Sequence, residues 1–248
     1  MNVSLFLTRL DKLVQALRAG DLRRALFRHR VLAGAEHRQV LSPNLATVVD
    51  IGANRGQFSL AVRRWAPGAK VFAFEPLSGA AARFRKVFQG DSGVVLHPAA
   101  IGPEPGEATI HVSRADDASS LLPMSALQER LFPGTGEVRT ETVKIGRLAG
   151  FVAAEDIVPP AMLKLDVQGF EMEALRGCEE LLGCFAYVYA ECSFMELYSG
   201  QAWAGDVITW LRERDFSFSG VYNMCYDRNR RAVQGDFLFK ESSTSKLK

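Results

Sequence analysis

Val48-Val49-Asp50-Ile51-Gly52-Ala53-Asn54-Arg55-Gly56 decides the reading of this chain, together with Phe72-Ala73-Phe74-Glu75-Pro76. The first stretch reads as an apolar strand, a glycine turn and the start of a helix. The second is another apolar strand that ends in a carboxylate. Glu75 stands 19 residues after Gly56. That spacing puts an acid at the tip of the neighbouring strand, where it accepts hydrogen bonds from both hydroxyls of a ribose. A nucleoside cofactor bound near the N-terminal part of the domain follows.

The turn narrows the choice of cofactor. A dinucleotide site uses G-x-G-x-x-G, because backbone amides crowd a pyrophosphate at the helix N-terminus. Here there are two glycines, with Asp50 ahead of them and Asn54 where a dinucleotide turn tends to have glycine. A carboxylate beside the turn repels phosphate and suits a cofactor with an ammonium and a sulfonium, such as S-adenosylmethionine. Gly52 then lets the backbone approach the methionine part, and Gly56 lets the following helix pack close to its strand. The plain structural alternative is a strand-turn-helix with an incidental acid, and Glu75 at the right spacing argues against it.

The chain has 248 residues and is 48% apolar, enough for one well-buried α/β domain. Its net charge of +2, with no basic run interleaved with aromatics, gives no reason to expect nucleic acid. The charge is uneven. Residues 1–40 hold eight Lys/Arg against three acids, an excess of five that leaves the remainder at −3. The four cysteines form no C-x-x-C pair or zinc spacing, so they read as free thiols of a reducing cytoplasm. Leu5-Phe6-Leu7 is too short for the apolar core of a signal peptide, and no run approaches membrane-spanning length.

Residues 1–45 read as a helical extension, with Leu5, Phe6, Leu10, Leu13, Val14 and Leu17 at helical spacing and Gly20-Asp21 separating a second helix. Packing on the main domain is one role for it. A basic surface for an anionic lipid, glycan or partner, or an oligomer contact, is another. Residues 46–240 carry strands near 46–51, 70–75, 94–97, 162–166 and 185–191, interleaved with helices near 56–65, 77–89, 170–176 and 203–214. A hairpin over 216–222 and 236–240 closes the domain, two further strands fall near 107–112 and 138–145, and 241–248 is a charged tail. Residues 124–136 have no clear pattern. Strands alternating with helices predict a doubly wound, mainly parallel seven-stranded sheet with an antiparallel last strand. Ligands then bind beyond the carboxyl ends of the strands, where Asp50, Glu75, His97, Asp166 and Glu191 gather.

In order along the chain, the block Val49 to Gly56, then Ala73-Phe74-Glu75-Pro76, then Leu163-Lys164-Leu165-Asp166-Val167-Gln168-Gly169-Phe170-Glu171 resembles the FkbM family of S-adenosylmethionine-dependent methyltransferases. Ala99-Ala100-Ile101-Gly102 and Ser119-Ser120-Leu121 resemble its weaker middle motifs, and the likeness spans roughly 46–240. Arg147-Leu148-Ala149 departs from a Leu-Asp pair common before the fourth strand. The resemblance implies a class I, Rossmann-like methyltransferase fold and O-methylation of a hydroxyl on a sugar, glycan or polyketide-like bacterial metabolite. It implies cofactor binding by Asp50, Gly52, Asn54, Gly56, Glu75, Pro76 and Ala99. Methylation of nucleic-acid amino groups is disfavoured, because Asp166-Val167-Gln168-Gly169 stands where an Asn/Asp-Pro-Pro-aromatic loop is expected.

An aliphatic hydroxyl needs a base or a metal ion to become a nucleophile. Asp166, Glu191 and His97 are the catalytic candidates, with His111 and Glu171 behind them and Lys164 as a buried structural partner of Asp166. Asp166 and Glu191, at the ends of adjacent strands, also form a candidate Mg²⁺ pair. In the alternative, Asp166 caps the next helix and Glu191 hydrogen-bonds the cofactor or a sugar hydroxyl. Two rival functions remain at this level: a nicotinamide-dependent oxidoreductase, opposed by the missing third glycine, and a cofactor-binding protein without turnover.

Overall fold

The computed structural model describes residues 20–242. The expected helix over Leu5–Leu17 and the end of the tail lie outside them. Among the described residues the strands are β1 (Thr47–Ile51), β2 (Lys70–Phe74), β3 (Val94–His97), β4 (Ala100–Ile101), β5 (Gly106–Ser113), β6 (Glu137–Gly146), β7 (Ala161–Leu165), β8 (Tyr187–Ser193), β9 (Phe216–Tyr226) and β10 (Ala232–Glu241). The helices are α1 (Gly20–His29), α2 (Gln57–Trp65), α3 (Ser78–Val87), α4 (Ala126–Leu131), α5 (Glu171–Cys178) and α6 (Ala204–Arg212).

Seven strands form one sheet in the order β3-β2-β1-β7-β8-β10-β9. The first five are parallel, and β10 runs antiparallel to both of its neighbours. Every residue of β1 and β7 is buried, as expected for central parallel strands covered on both faces. Alternation divides them between two cores. Val49, Ile51, Phe74, Leu163 and Leu165 face one side with α5 and α6. Val48, Val71, Ala73, Met162 and Tyr189 face the other, against Phe58, Ala61 and Val62 of α2. Asp50 shares this second face.

The two additional strands do not extend the main sheet. They pair with each other and with short β4 in a separate sheet of order β4-β6-β5. Residues 124–136, which carry no clear pattern in sequence, contain α4. Its Ser125 side chain caps Gln128 N, a local signal that is short against the helical period. Residues 20–40 lie on the α2–α3 side. Leu22, Ala25, Val31 and Ala33 pack there against Leu60, and a 3₁₀ turn over Ala35–Val40 leads towards β1. No helix among the described residues is long and apolar enough to cross a membrane.

Candidate active site

The carboxyl ends of β1, β2, β7 and β8 open into one cleft of about 440 Å³. One end is lined by Glu75, Pro76, Leu77 and Ala99–Ile101. The middle is Gly52, Ala53 and Asn54. The other end holds Lys164, Asp166, Gln168, Glu191 and Gln234, with Glu36 and His37 at its side.

The turn is built for close approach. Gly52 has φ +77°, and a Cβ there would lie 1.8 Å from the Asp166 carbonyl oxygen. Only glycine lets β1 and β7 end this close together. Gly56, at φ +95°, would strike the Phe88 ring at 2.5 Å. It therefore acts on packing, and it does not line the cleft. Asn54 also has positive φ, 47°. Its backbone N–H donates to Glu75 Oε2 at 2.9 Å, and Leu77 N–H donates to Glu75 Oε1 at 2.7 Å. Glu75 is 5% exposed, so these two amides hold a buried carboxylate in one orientation facing the cleft.

Asp50 plays a different part from the one its position suggests. It is fully buried beneath the turn and does not line the cleft. Its Oδ2 accepts from Ser59 Oγ at 2.7 Å, and its Oδ1 lies 3.0 Å from Lys164 Nζ. Lys164 also donates to the Gly52 carbonyl at 3.1 Å and stands 3.8 Å from Asp166 Oδ2. Burial opposes the lysine's charge, but Asp50 and Asp166 outweigh it and raise its pKa. The Asp50 charge is thus matched inside the protein. Its contribution is to tie β1, α2 and β7 together under the turn rather than to repel phosphate from it.

At the far end, Gln168 holds the two carboxylates of the candidate pair. Its Nε2 donates to Asp166 Oδ1 at 2.7 Å and to Glu191 Oε2 at 2.9 Å. Tyr198 OH donates to its Oε1 at 2.9 Å, and Ser120 Oγ to its backbone carbonyl at 2.6 Å. Gln234 Nε2 donates to the other Glu191 oxygen at 2.6 Å. Burial, then the charges of Asp166 and Asp236, raise the Glu191 pKa well above the ordinary carboxylate range.

The Mg²⁺ expectation does not fit this arrangement. An amide N–H donor stands between the two oxygens that would flank a cation. Among the described residues no group of three His, Cys, Asp or Glu side chains is placed to hold a metal. Nor does Asp166 cap the next helix. That helix start has no side-chain cap, and Glu171 instead ties down the loop before it, its Oε1 accepting from Val167 N–H at 3.0 Å and Gly169 N–H at 3.2 Å. Glu171 is buried, which pushes its pKa up to about 7.

His97 falls outside the cleft lining. Its ring stacks on Phe74 with centroids 4.9 Å apart and meets Phe151 edge-on at 5.7 Å. Burial, then Lys144, lower its pKa. The strand end predicted its neighbourhood, but its ring turns into an aromatic cluster, so the expectation of a catalytic histidine there is not met by its placement. His111 pairs with Glu137 Oε2 at 2.8 Å on the small sheet and also lies away from the cleft. Sequence reasoning missed His37, Gln128 and Gln234 in the lining. None of them sits in a motif, and each reaches the cleft through tertiary contacts that no local spacing announces.

The sequence matches the family described as Methyltransferase FkbM domain over residues 50–218. It is 30% identical over 219 residues to 2-O-methyltransferase NoeI of Sinorhizobium fredii (strain NBRC 101917 / NGR234), covering 83% of this chain and 85% of that protein. It is 26% identical over 152 residues to Methyltransferase 1 of Beauveria bassiana (strain ARSEF 2860), covering 56% and 60%. Among solved structures it is similar to magnesium protoporphyrin IX methyltransferase from Synechocystis PCC 6803 with bound SAM, at 12% identity and a TM-score of 0.46, over 84% of this chain and 80% of that one. With its glycine turn, strand-tip carboxylate and Asp-Val-Gln-Gly-Phe-Glu loop in that matched span, the chain belongs to the FkbM methyltransferase family.

Proposed function

We propose that the protein transfers a methyl group from S-adenosylmethionine to a hydroxyl oxygen of a sugar, glycan or polyketide-like acceptor. One observation carries the reading. A single cleft joins a buried carboxylate locked by two backbone amides, at Glu75, to an array of carboxyl and amide groups suited to hydroxyls, at Asp166, Gln168, Glu191 and Gln234. The similarity to a relative named as a 2-O-methyltransferase supports the choice of oxygen.

In this reading Glu75 accepts both ribose hydroxyls, Pro76 and Ala99 face the adenosine, and Gly52 and Asn54 border the methionine portion. When bound, the sulfonium supplies an already activated methyl group. The protein's task is to align the acceptor oxygen with it and to exclude water. Asp166 and Glu191, braced by Gln168, orient the acceptor through hydrogen bonds to its hydroxyls.

The test is transfer of isotopically labelled methyl from S-adenosylmethionine to a panel of methyl glycosides and hydroxylated polyketide fragments, read by mass spectrometry with linkage analysis. The label is expected as a methyl ether. Label on nitrogen or carbon, or none on any hydroxyl acceptor, would contradict the reading.

A further inference from the structure

We propose that the outer face of α1 and α3 docks the protein on an anionic lipid surface, with the Phe27 ring entering the headgroup boundary. No residue of this face lines the cleft, and the inference goes beyond the methyl-transfer reading.

α1 has two opposite sides. Leu22 and Ala25 are buried, and with the partly buried Leu26 they pack against Leu60 of α2 and against Val87 and Phe88 at the end of α3. Arg23, Arg24, Phe27 and Arg28 fall at i, i+1, i+4 and i+5, on the side turned away from that packing, and all four are exposed. Phe27 is 69% exposed, more than any other large apolar side chain among the described residues. Packing within the fold does not account for a ring in that position.

α3 continues the surface. It packs against α1 and buries Ala80, Ala81 and Phe84, while Arg83, Arg85 and Lys86 are exposed. Residues 78–90 contain no acid, and 20–31 contain Asp21 alone. Asp91, the next acid after α3, is held by Arg63 at 2.9 Å. Among the described residues no carboxylate forms an ion pair with any of the six cations. Elsewhere on the surface Arg147, Arg214 and Arg231 each meet a carboxylate at 2.7 Å. The unmatched charge is thus concentrated on one face. Six cations around one exposed ring suit a bilayer with anionic headgroups: the charges are drawn to the surface, and the ring leaves water for the acyl boundary. A single-stranded nucleic acid stacks successive bases on several rings along a groove, and this face has one ring. An anionic glycan would use the cations and leave the ring in water.

The test is sedimentation of the full chain with vesicles of phosphatidylcholine alone and of phosphatidylcholine with about 30% phosphatidylglycerol. Binding to the anionic vesicles is expected to be at least about tenfold tighter, and to be lost as salt rises to about 1 M. Arg24→Glu combined with Arg28→Glu should weaken it by at least about 25-fold, since each charge near such a surface changes partitioning about fivefold. Arg83→Glu combined with Lys86→Glu should do the same, as two helices acting as one face require. Phe27→Ser should weaken it about tenfold. Arg212→Glu combined with Arg228→Glu makes an equal change of net charge at exposed positions elsewhere, and should keep binding within about threefold of the parent. Affinity for S-adenosylhomocysteine should be unchanged in every variant. Equal binding to the two kinds of vesicle, no binding to either, or parental binding by both charge-reversed pairs on the face would overturn the docking surface. So would an equal loss in Arg212→Glu with Arg228→Glu, or tighter binding to polyuridylate RNA than to the anionic vesicles. Each of these results leaves methyl transfer standing, because that is assayed on soluble glycosides without vesicles.

Discussion

The two ends of the cleft are built from very different lengths of chain. The Glu75 end is assembled within one βαβ unit: Gly52, Asn54 and Glu75 come from two adjacent strand tips, and the carboxylate is held by amides 21 and 2 residues away in sequence. The Glu191 end draws on Gln168, 23 residues away, and Gln234, 43 away, with Tyr189 and Asp236 47 apart beside it. A site made by one turn and its neighbour leaves a contiguous signature. A site made by distant side chains leaves a trace only where sequence neighbours join it, as Asp166 and Gln168 do, while Glu191 and Gln234 join theirs across the fold.

The sharpest way to break the comparison is to strike the turn where both ends meet. Gly52→Ala drives a Cβ into the Asp166 carbonyl and imposes a left-handed φ on a residue with a side chain. We expect more than about 4 kcal/mol of destabilisation, or an insoluble protein, measured by denaturant unfolding. A stable Gly52→Ala protein with intact S-adenosylhomocysteine binding would show that the two ends are not joined through this contact.

The next effect concerns Glu171, which ties down the loop carrying Asp166 and Gln168. Its carboxyl titrates near 4.5 in the unfolded chain and at about 7 when folded. The folded state therefore binds more protons between those values. The stability this group contributes is complete below about pH 4.5 and is lost as pH rises through about 7, at most about 3 kcal/mol. Glu171→Gln keeps an acceptor for Val167 and Gly169 without the titration. Chemical unfolding from pH 5 to 8 should show a shallower decline in that variant, and parallel slopes would refute the assignment.

A smaller, more selective effect is expected at Gln168. Gln168→Leu removes the amide between Asp166 and Glu191 and leaves Tyr198 without that acceptor. It should cost about 1–3 kcal/mol of stability, the usual penalty for buried polar groups left unpaired. Turnover should fall about 10- to 100-fold, by the conversion of about 1.4 kcal/mol per factor of ten. Binding of S-adenosylhomocysteine, measured by calorimetry, should hold. Equal losses of both would merge the two ends into one.

The same contrast explains what was legible in the sequence. The parallel core was readable because β1, β2 and β7 are predominantly apolar runs, each with a single charged residue (Asp50, Lys70 and Lys164), and nearly all of their residues are buried. Glu75 was readable because its spacing from the turn is set by one helix and one strand. Strands near 107–112 and 138–145 were readable as strands but not as a separate sheet, since alternation reports a half-buried face and not its partner. Asp50 was placed correctly at a strand end, yet its charge is matched by Lys164 on the next strand, which only the β1–β7 register reveals. His97 failed as a site residue because a strand end fixes a backbone position and leaves the ring free to stack on Phe74. His37 carries no motif, and its place beside Tyr189 and Asp236 is a product of folding across 152 and 199 residues of sequence.

The most direct measurement is a calorimetric titration of S-adenosylhomocysteine into the parent protein and into Glu75→Ala. The variant removes the cleft carboxylate that the Asn54 and Leu77 amides hold in place. The account predicts measurable binding to the parent and a loss of about 1.5–3 kcal/mol in the variant, with the fold unchanged by circular dichroism. Equal affinity in the two proteins would contradict it.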